Sequence, residues 1–192
     1  GRALDATILA DDDAVVVVLR DVSRYTAQID ELRQMAERDP LTGLLNRRAF
    51  LQRGKAELTR GAHNGRPVAV AVADIDRFAQ LNDRLGQTTG DAVLAAVARL
   101  LSSSRPTDLV ARIGGDEFGL VLPDTDAEGA VARLERAIGE LSAAVVVGSE
   151  PASFSAGVHV PTEDETLEMA LYRADAALER AKESGRGRAL RA

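Results

Sequence analysis

Residues 109–120 read Leu-Val-Ala-Arg-Ile-Gly-Gly-Asp-Glu-Phe-Gly-Leu. Apolar residues flank a Gly-Gly pair, the pattern of a β-hairpin whose tight turn takes φ > 0. Two adjacent carboxylates, Asp116 and Glu117, follow the turn directly. Like charges crowded beside a hairpin tip repel one another and give the hairpin nothing. Acids held there suit a hard cation, and Gly114 and Gly115 would let a phosphorylated ligand approach the backbone. Gly-Gly-Asp is also ordinary turn chemistry, so the stretch by itself leaves both readings open.

Outward from the hairpin, the near-continuous Val/Ala run 68–73 has the character of a central strand. Periodicity predicts helices over 47–60, 77–85, 91–101, 127–141 and 167–184, a loop over 63–67, and strands over 143–147 and 154–160. Strands interleaved with helices around a clear hairpin predict an α/β protein of the α+β sandwich kind. Its central sheet is expected to be mostly antiparallel, with helices on both faces. Upstream, 3–9 and 14–20 read as a hairpin across Asp11-Asp12-Asp13. Two strands cannot bury Val15–Leu19 by themselves, so the pair is expected to be the tail of a larger domain. Tyr25, Ile29, Leu32 and Ala36 follow a 4-3-4 spacing, a short helix with a coiled-coil-like seam, which Asp39-Pro40 stops.

Composition narrows the chemistry. The 192 residues are 45% hydrophobic but only 3% aromatic, so Val, Leu and Ala must fill the core. There is no cysteine, and the two histidines, His63 and His159, stand far apart in the chain. That excludes thiolate sites and leaves oxygen ligands, hence Mg²⁺, Mn²⁺ or Ca²⁺. A net charge of −6 argues against binding a nucleic-acid polymer, though not against a nucleotide whose phosphates a cation offsets. No apolar run approaches the ~20 residues that span a bilayer, and no signal-peptide pattern opens the sequence. A cytoplasmic protein is the expectation.

Several constellations surround the hairpin. Asp74-Ile75-Asp76 ends the Val/Ala strand, with its carboxylates expected on opposite faces, one in a cleft and one turned away. The pair could instead cap the following helix. An acid at a central strand end beside an acid-bearing hairpin is an arrangement for a metal pair in phosphoryl transfer. Asn82 and Asp91 carry the acceptors and donors that read a guanine edge, or they are simply helix caps. Lys182 and Arg186 could hold a triphosphate, or serve as ordinary cations at a helix C-terminus. Arg105 and Asp108 could form a weak surface pair, or Arg105 could grip guanine O6 and N7.

Taken together, the blocks Asp39-Pro40-Leu41-Thr42-Gly43-Leu44-Leu45-Asn46-Arg47-Arg48, Asp74–Phe78, Asn82-Asp83, Gly90-Asp91, Gly114–Phe118, Ser155–Val158 and Lys182–Arg186 resemble the GGDEF-domain diguanylate cyclases. The resemblance covers roughly 39–188 and implies a palm-like nucleotidyl-cyclase fold. It implies conversion of two GTP to cyclic di-GMP and two pyrophosphates, on a homodimer in which each half-site holds one GTP. By position, Asp74, Glu117 and the Ile75 carbonyl would bind two Mg²⁺ or Mn²⁺ per half-site, and Asp116 would be the variable acid of the signature. Asn82 and Asp91 would bind guanine beside Phe78, Gly114 and Gly115 would admit the phosphates, and Lys182 and Arg186 would hold the triphosphate. Arg105 and Asp108 match the family's product-inhibition site, and Arg112 is expected to pair with Asp39. The resemblance divides the chain into a PAS-like sensor tail (1–23), a signalling helix (24–38) and the cyclase domain (39–192). Two positions depart from the pattern: Ala79 stands where Lys is usual, and Gln87 where His is usual.

Overall fold

The computed structural model describes residues 4–11, 14–21, 37–103 and 105–192. The chain forms two compact units, Gly1–Glu37 and Arg38–Ala192. In the first, β1 (Leu4–Asp11) and β2 (Ala14–Asp21) pair antiparallel from Leu4↔Asp21 to Asp11↔Ala14, which is the expected hairpin. The predicted seam from Tyr25 to Ala36 lies outside the described residues.

The second unit runs β3 (Leu45–Asn46), α1 (Arg47–Asn64), β4 (Val68–Ile75), α2 (Phe78–Leu85) and α3 (Gln87–Ser102). It continues with β5 (Leu109–Arg112), β6 (Glu117–Pro123), α4 (Ala127–Ala144), a minimal ribbon of β7 (Val146–Val147) and β8 (Glu150–Pro151), β9 (Phe154–His159), α5 (Leu167–Glu183) and β10 (Ala189–Arg191). Six strands form one sheet in the order β10-β9-β4-β6-β5-β3. The three inner pairings are antiparallel and the two edge pairings parallel.

The Val/Ala run lies at the centre of this sheet, and Asp74 is the one β4 residue that is not fully buried. Alternation along the strand sorts its side chains. Ala69, Ala71, Ala73 and Ile75 pack with Leu94, Val97, Leu134 and Ile138 of α3 and α4. Val68 and Val70 face Phe50 of α1 and Ala170 of α5, and Val72 faces Leu178. Asp74 continues this second set. A Cβ on Gly157 of β9 would stand 1.9 Å from the Ala174 carbonyl oxygen, so only glycine lets α5 lie this close. That close packing carries the end of α5 to the end of β4.

Several element boundaries differ from the sequence expectation. Helix α1 reaches Asn64 and is stopped by Gly65 in the left-handed region, φ 62°. Ala143 and Ala144 belong to α4 rather than to a strand. Helix α3 begins at Gln87, four residues before Asp91.

Candidate functional site

In the β4–β6 register Asp74 stands opposite Glu117. The strand end and the hairpin thus bring two carboxylates side by side, with Asp116 one residue away. The hairpin glycines, however, do not adopt positive φ, contrary to the tight-turn expectation. A Cβ on Gly114 would meet Glu117 Oε2 at 2.4 Å, so a larger residue there would shift that carboxylate. Nothing stands within 4 Å of a Cβ placed on Gly115, which faces open space. Arg112 braces the loop by donating from Nε and Nη2 to the Gly115 carbonyl at 3.0 and 2.6 Å. Its Nη1 lies 3.4 Å from Asp39 Oδ2, the expected pair.

Burial is the main cause that pushes the Asp74 carboxyl from 3.8 up to about 6. Asp116 and Glu117 push the same way, while Lys182 opposes them with a hydrogen bond and its charge. Lys182, in the last turn of α5, places Nζ 3.1 Å from Asp74 Oδ1 and 3.0 Å from Glu179 Oε1. Its own pKa is raised: burial lowers it, but the bonds to Glu179 and Asp74 outweigh that. Three acids answered by one lysine would gain from a further cation.

The second acid of Asp-x-Asp is arranged quite differently. Asp76 Oδ2 accepts from Ser153 Oγ at 2.6 Å and from the Gly187 N–H at 3.0 Å, and Oδ1 accepts from Ser155 Oγ at 2.7 Å. Ser155 stands opposite Asp74 in the β4–β9 register and so shares its face. The two acids are therefore not on opposite faces, as residues i and i+2 of a strand should not be. They part sideways, Asp76 over β9 and Asp74 beside Glu117. Asp76 caps nothing, since the N-cap of α2 is Arg77, in the left-handed region at φ 57° and without a side-chain bond.

Phe78, Asn82, Asp91, Arg112, Gly115 and Asp116 line a cavity of about 330 Å³. Asn82 and Asp91 are not caps either, because Gly86 ends α2 and opens α3. Asn82 Oδ1 is buried without a partner. A Cβ on Gly90 would fall 1.9 Å from that oxygen, so glycine keeps the space beside it free. An unpartnered buried acceptor on a cavity wall can receive a ligand donor.

Arg186, exposed and at φ 64°, lines a separate cleft of about 300 Å³ with Asp76, Arg77 and Arg84. Arg105 and Asp108 belong to neither cavity and precede β5, whose far end carries Arg112. The Asp108 carboxylate accepts from Arg133 of α4. Sequence reasoning missed Arg133, Ser153 and Gly187, which lie far from their partners in the chain and carry no local signal. Ser155 was marked as part of a block, but not its bond to Asp76.

The donor set suits a divalent cation that arrives with phosphates. Among the described residues no three His, Cys, Asp or Glu side chains converge as a cage. Magnesium commonly needs only one or two carboxylates, completing its shell with water and substrate phosphates. Asp74 and Glu117, supplemented by a strand-end carbonyl, fit that pattern.

The molecule thus sets an acid pair at the middle strands of an antiparallel-centred sheet, with a polar cavity alongside. The chain belongs to the family described as diguanylate cyclase, GGDEF domain, whose model matches residues 36–188. It is 39% identical over 173 residues to the diguanylate cyclase DgcP of Pseudomonas aeruginosa, covering 88% of this chain and 26% of that protein. It is 42% identical over 132 residues to the cyclic di-GMP phosphodiesterase PdeB of Shewanella oneidensis, covering 68% of this chain and 15% of that one. The chain therefore spans only a minor part of either relative. Among solved structures, the coiled coil and GGDEF domain of Caulobacter crescentus DgcB, in complex with c-di-GMP, superposes with a TM-score of 0.83 at 30% identity. That match covers 89% of this chain and 93% of that one. No helix among the described residues is long and apolar enough to cross a membrane.

Proposed function

We propose that this chain is a diguanylate cyclase that condenses two GTP into cyclic di-GMP and two pyrophosphates. The observation that carries the reading is the register pairing of Asp74 with Glu117 beside Asp116 and Lys182. Asp74, Glu117 and the Ile75 carbonyl would hold Mg²⁺ or Mn²⁺, two per half-site. The bound cations would offset triphosphate charge and favour the alkoxide form of the attacking hydroxyl. Asn82 and Asp91 orient guanine over Phe78, and Asn82 Oδ1 is free to accept from a purine donor. Gly114 and Gly115 leave room for the phosphates, while Lys182 and Arg186 bind them. In each step the 3′-oxygen forms a bond to the α-phosphorus of the other GTP. The α–β anhydride breaks, pyrophosphate leaves and the hydroxyl proton is released.

The described residues form one such site, and a 3′-hydroxyl cannot reach across to a second GTP within it. The reading therefore requires a two-fold homodimer with facing half-sites. Residues 1–23 are assigned as the tail of a PAS-type sensor, 24–38 as the linker, and 39–192 as the cyclase. Arg105 and Asp108 are assigned to product inhibition. The supply of GTP suits a cytoplasmic location.

The direct experiment incubates the protein with GTP and Mg²⁺ and separates the products chromatographically. Cyclic di-GMP with two equivalents of pyrophosphate is expected, and none at micromolar enzyme defeats the proposal. A second reading, a GTP- or cyclic di-GMP-binding signalling module of weak activity, is favoured by Ala79, which removes a cation beside the phosphates. It predicts GTP binding with little turnover.

A further inference from the structure

Arg105 and Asp108 stand at the two ends of a tight turn with Pro106 inside it, closed by the Asp108 N–H donating to the Arg105 carbonyl at 3.1 Å. Their side chains are in unlike states. Arg105 is exposed. The Asp108 side chain keeps 2% of its exposure, because Arg133 lies against it and donates through Nη2. Yet this closure leaves two groups unsatisfied: Asp108 Oδ1 and Arg133 Nη1 are buried and have no partner. Each forgoes a hydrogen bond that water or a ligand would supply on opening. The pair is shut but poorly rewarded for being shut.

We propose that Arg133 is a latch over the Arg105–Asp108 site. On the reading of that site as the product-inhibition site, cyclic di-GMP engages the Asp108 carboxylate only after Arg133 releases it. Guanine offers N–H donors that a carboxylate accepts, and O6 and N7 acceptors that Arg105 can grip. In the latched state Asp108 Oδ1 is closed to any such donor. The apparent dissociation constant is then the intrinsic one divided by the unlatched fraction. An arginine that merely lent charge to a doubly anionic ligand would act in the opposite sense, since removing it would weaken binding. The direction of the change therefore distinguishes a latch from a contact.

The test uses the whole chain carrying Arg133→Leu, which keeps bulk and removes the donors. Calorimetric titration with cyclic di-GMP and initial rates of GTP turnover with added cyclic di-GMP are measured. Binding and inhibition should both tighten, by about 10-fold if the unlatched fraction is on the order of a tenth. The rate without added product should stay as in the wild type. Unchanged or weaker binding overturns the latch. Arg133→Gln, shorter and still polar, should shift binding in the same direction and serves if the Leu variant does not fold. Asp108→Ala separates the two layers of the argument. If it leaves cyclic di-GMP binding intact, the site assignment fails and the latch with it. If it abolishes binding while neither Arg133 variant tightens it, the site stands and the latch falls.

Discussion

Asp74 and Asp76, two residues apart at the end of β4, share a face of the sheet and differ in what surrounds them. Asp76 is satisfied by neutral donors: two serine hydroxyls and one backbone N–H. Those bonds tie the segment that follows α5 to the segment that follows β4, and they leave little to offer a ligand. Asp74 has one lysine, two acidic neighbours and a carboxyl driven up to about 6 mainly by burial. Its unbalanced charge is what a cation and a triphosphate would resolve. Within one tripeptide, one acid is spent on holding the fold together and the other keeps charge to spare.

The largest effect expected from this contrast falls on Glu117. Glu117→Gln keeps the shape of the hairpin and removes one of the two register-paired charges. Turnover of GTP should drop at least about 10²-fold, with the melting temperature nearly unchanged. Near-normal kcat in this variant would mean that the carboxylate pair is not the reactive centre. Asp76→Ala should do the reverse. It strands Ser153, Ser155 and the Gly187 N–H, costing about 3 kcal/mol, or roughly 10 °C in Tm. Asp76→Asn should recover part of this loss, because an amide oxygen accepts but its nitrogen cannot. Thermal unfolding of both variants checks the order. Equal stability of Asp76→Ala and the wild type would remove the structural half of the contrast.

Gly90→Ala probes another unsatisfied group. The new Cβ would fall on the Asn82 oxygen and drive that side chain out of the cavity wall. The expected result is a KM for GTP raised about 10-fold, equivalent to about 1.4 kcal/mol, with kcat retained. An unchanged KM would show that Asn82 does not meet the base.

What the sequence disclosed follows from how far each interaction reaches along the chain. The Val/Ala strand, the hairpin and the helices were legible because period and composition are local properties. Helix ends were less so. His63 and Asn64 carry no apolar signal, and α1 stops only because Gly65 can turn left-handed. Ala143-Ala144 precede a Val run and look like the start of a strand, but backbone bonding continues α4 through them. Asp74 and Glu117 were identifiable as an acid pair, and Asp74 and Asp76 were expected to differ, but their shared face and the partners that satisfy Asp76 were not foreseen. Gly187 lies 111 residues from Asp76, and Arg133 lies 25 from Asp108. Such partners are chosen by the tertiary fold, and no spacing rule announces them.

The smallest effect is a titration, and it tests Asp74 alone. Its folded pKa, about 6, lies above the ordinary 3.8. Without a bound cation the folded protein therefore holds this proton more tightly than the unfolded chain does. The contribution of Asp74 to stability is fully present below about pH 4, shrinks as pH rises towards 6, and is flat above that. Asp74→Asn cannot titrate, so the stability difference between wild type and variant should change across pH 4–6 and nowhere else. A divalent cation binds the ionised form and reverses the trend. The rise in Tm caused by Mg²⁺ should be largest above pH 6, fade through pH 5, and be much reduced in Asp74→Asn. Melting curves at fixed ionic strength, with and without Mg²⁺, measure both slopes. If the Mg²⁺ effect has the same size at pH 5 and pH 7, the cation is held elsewhere, and Asp74 resembles Asp76 more closely than its surroundings imply.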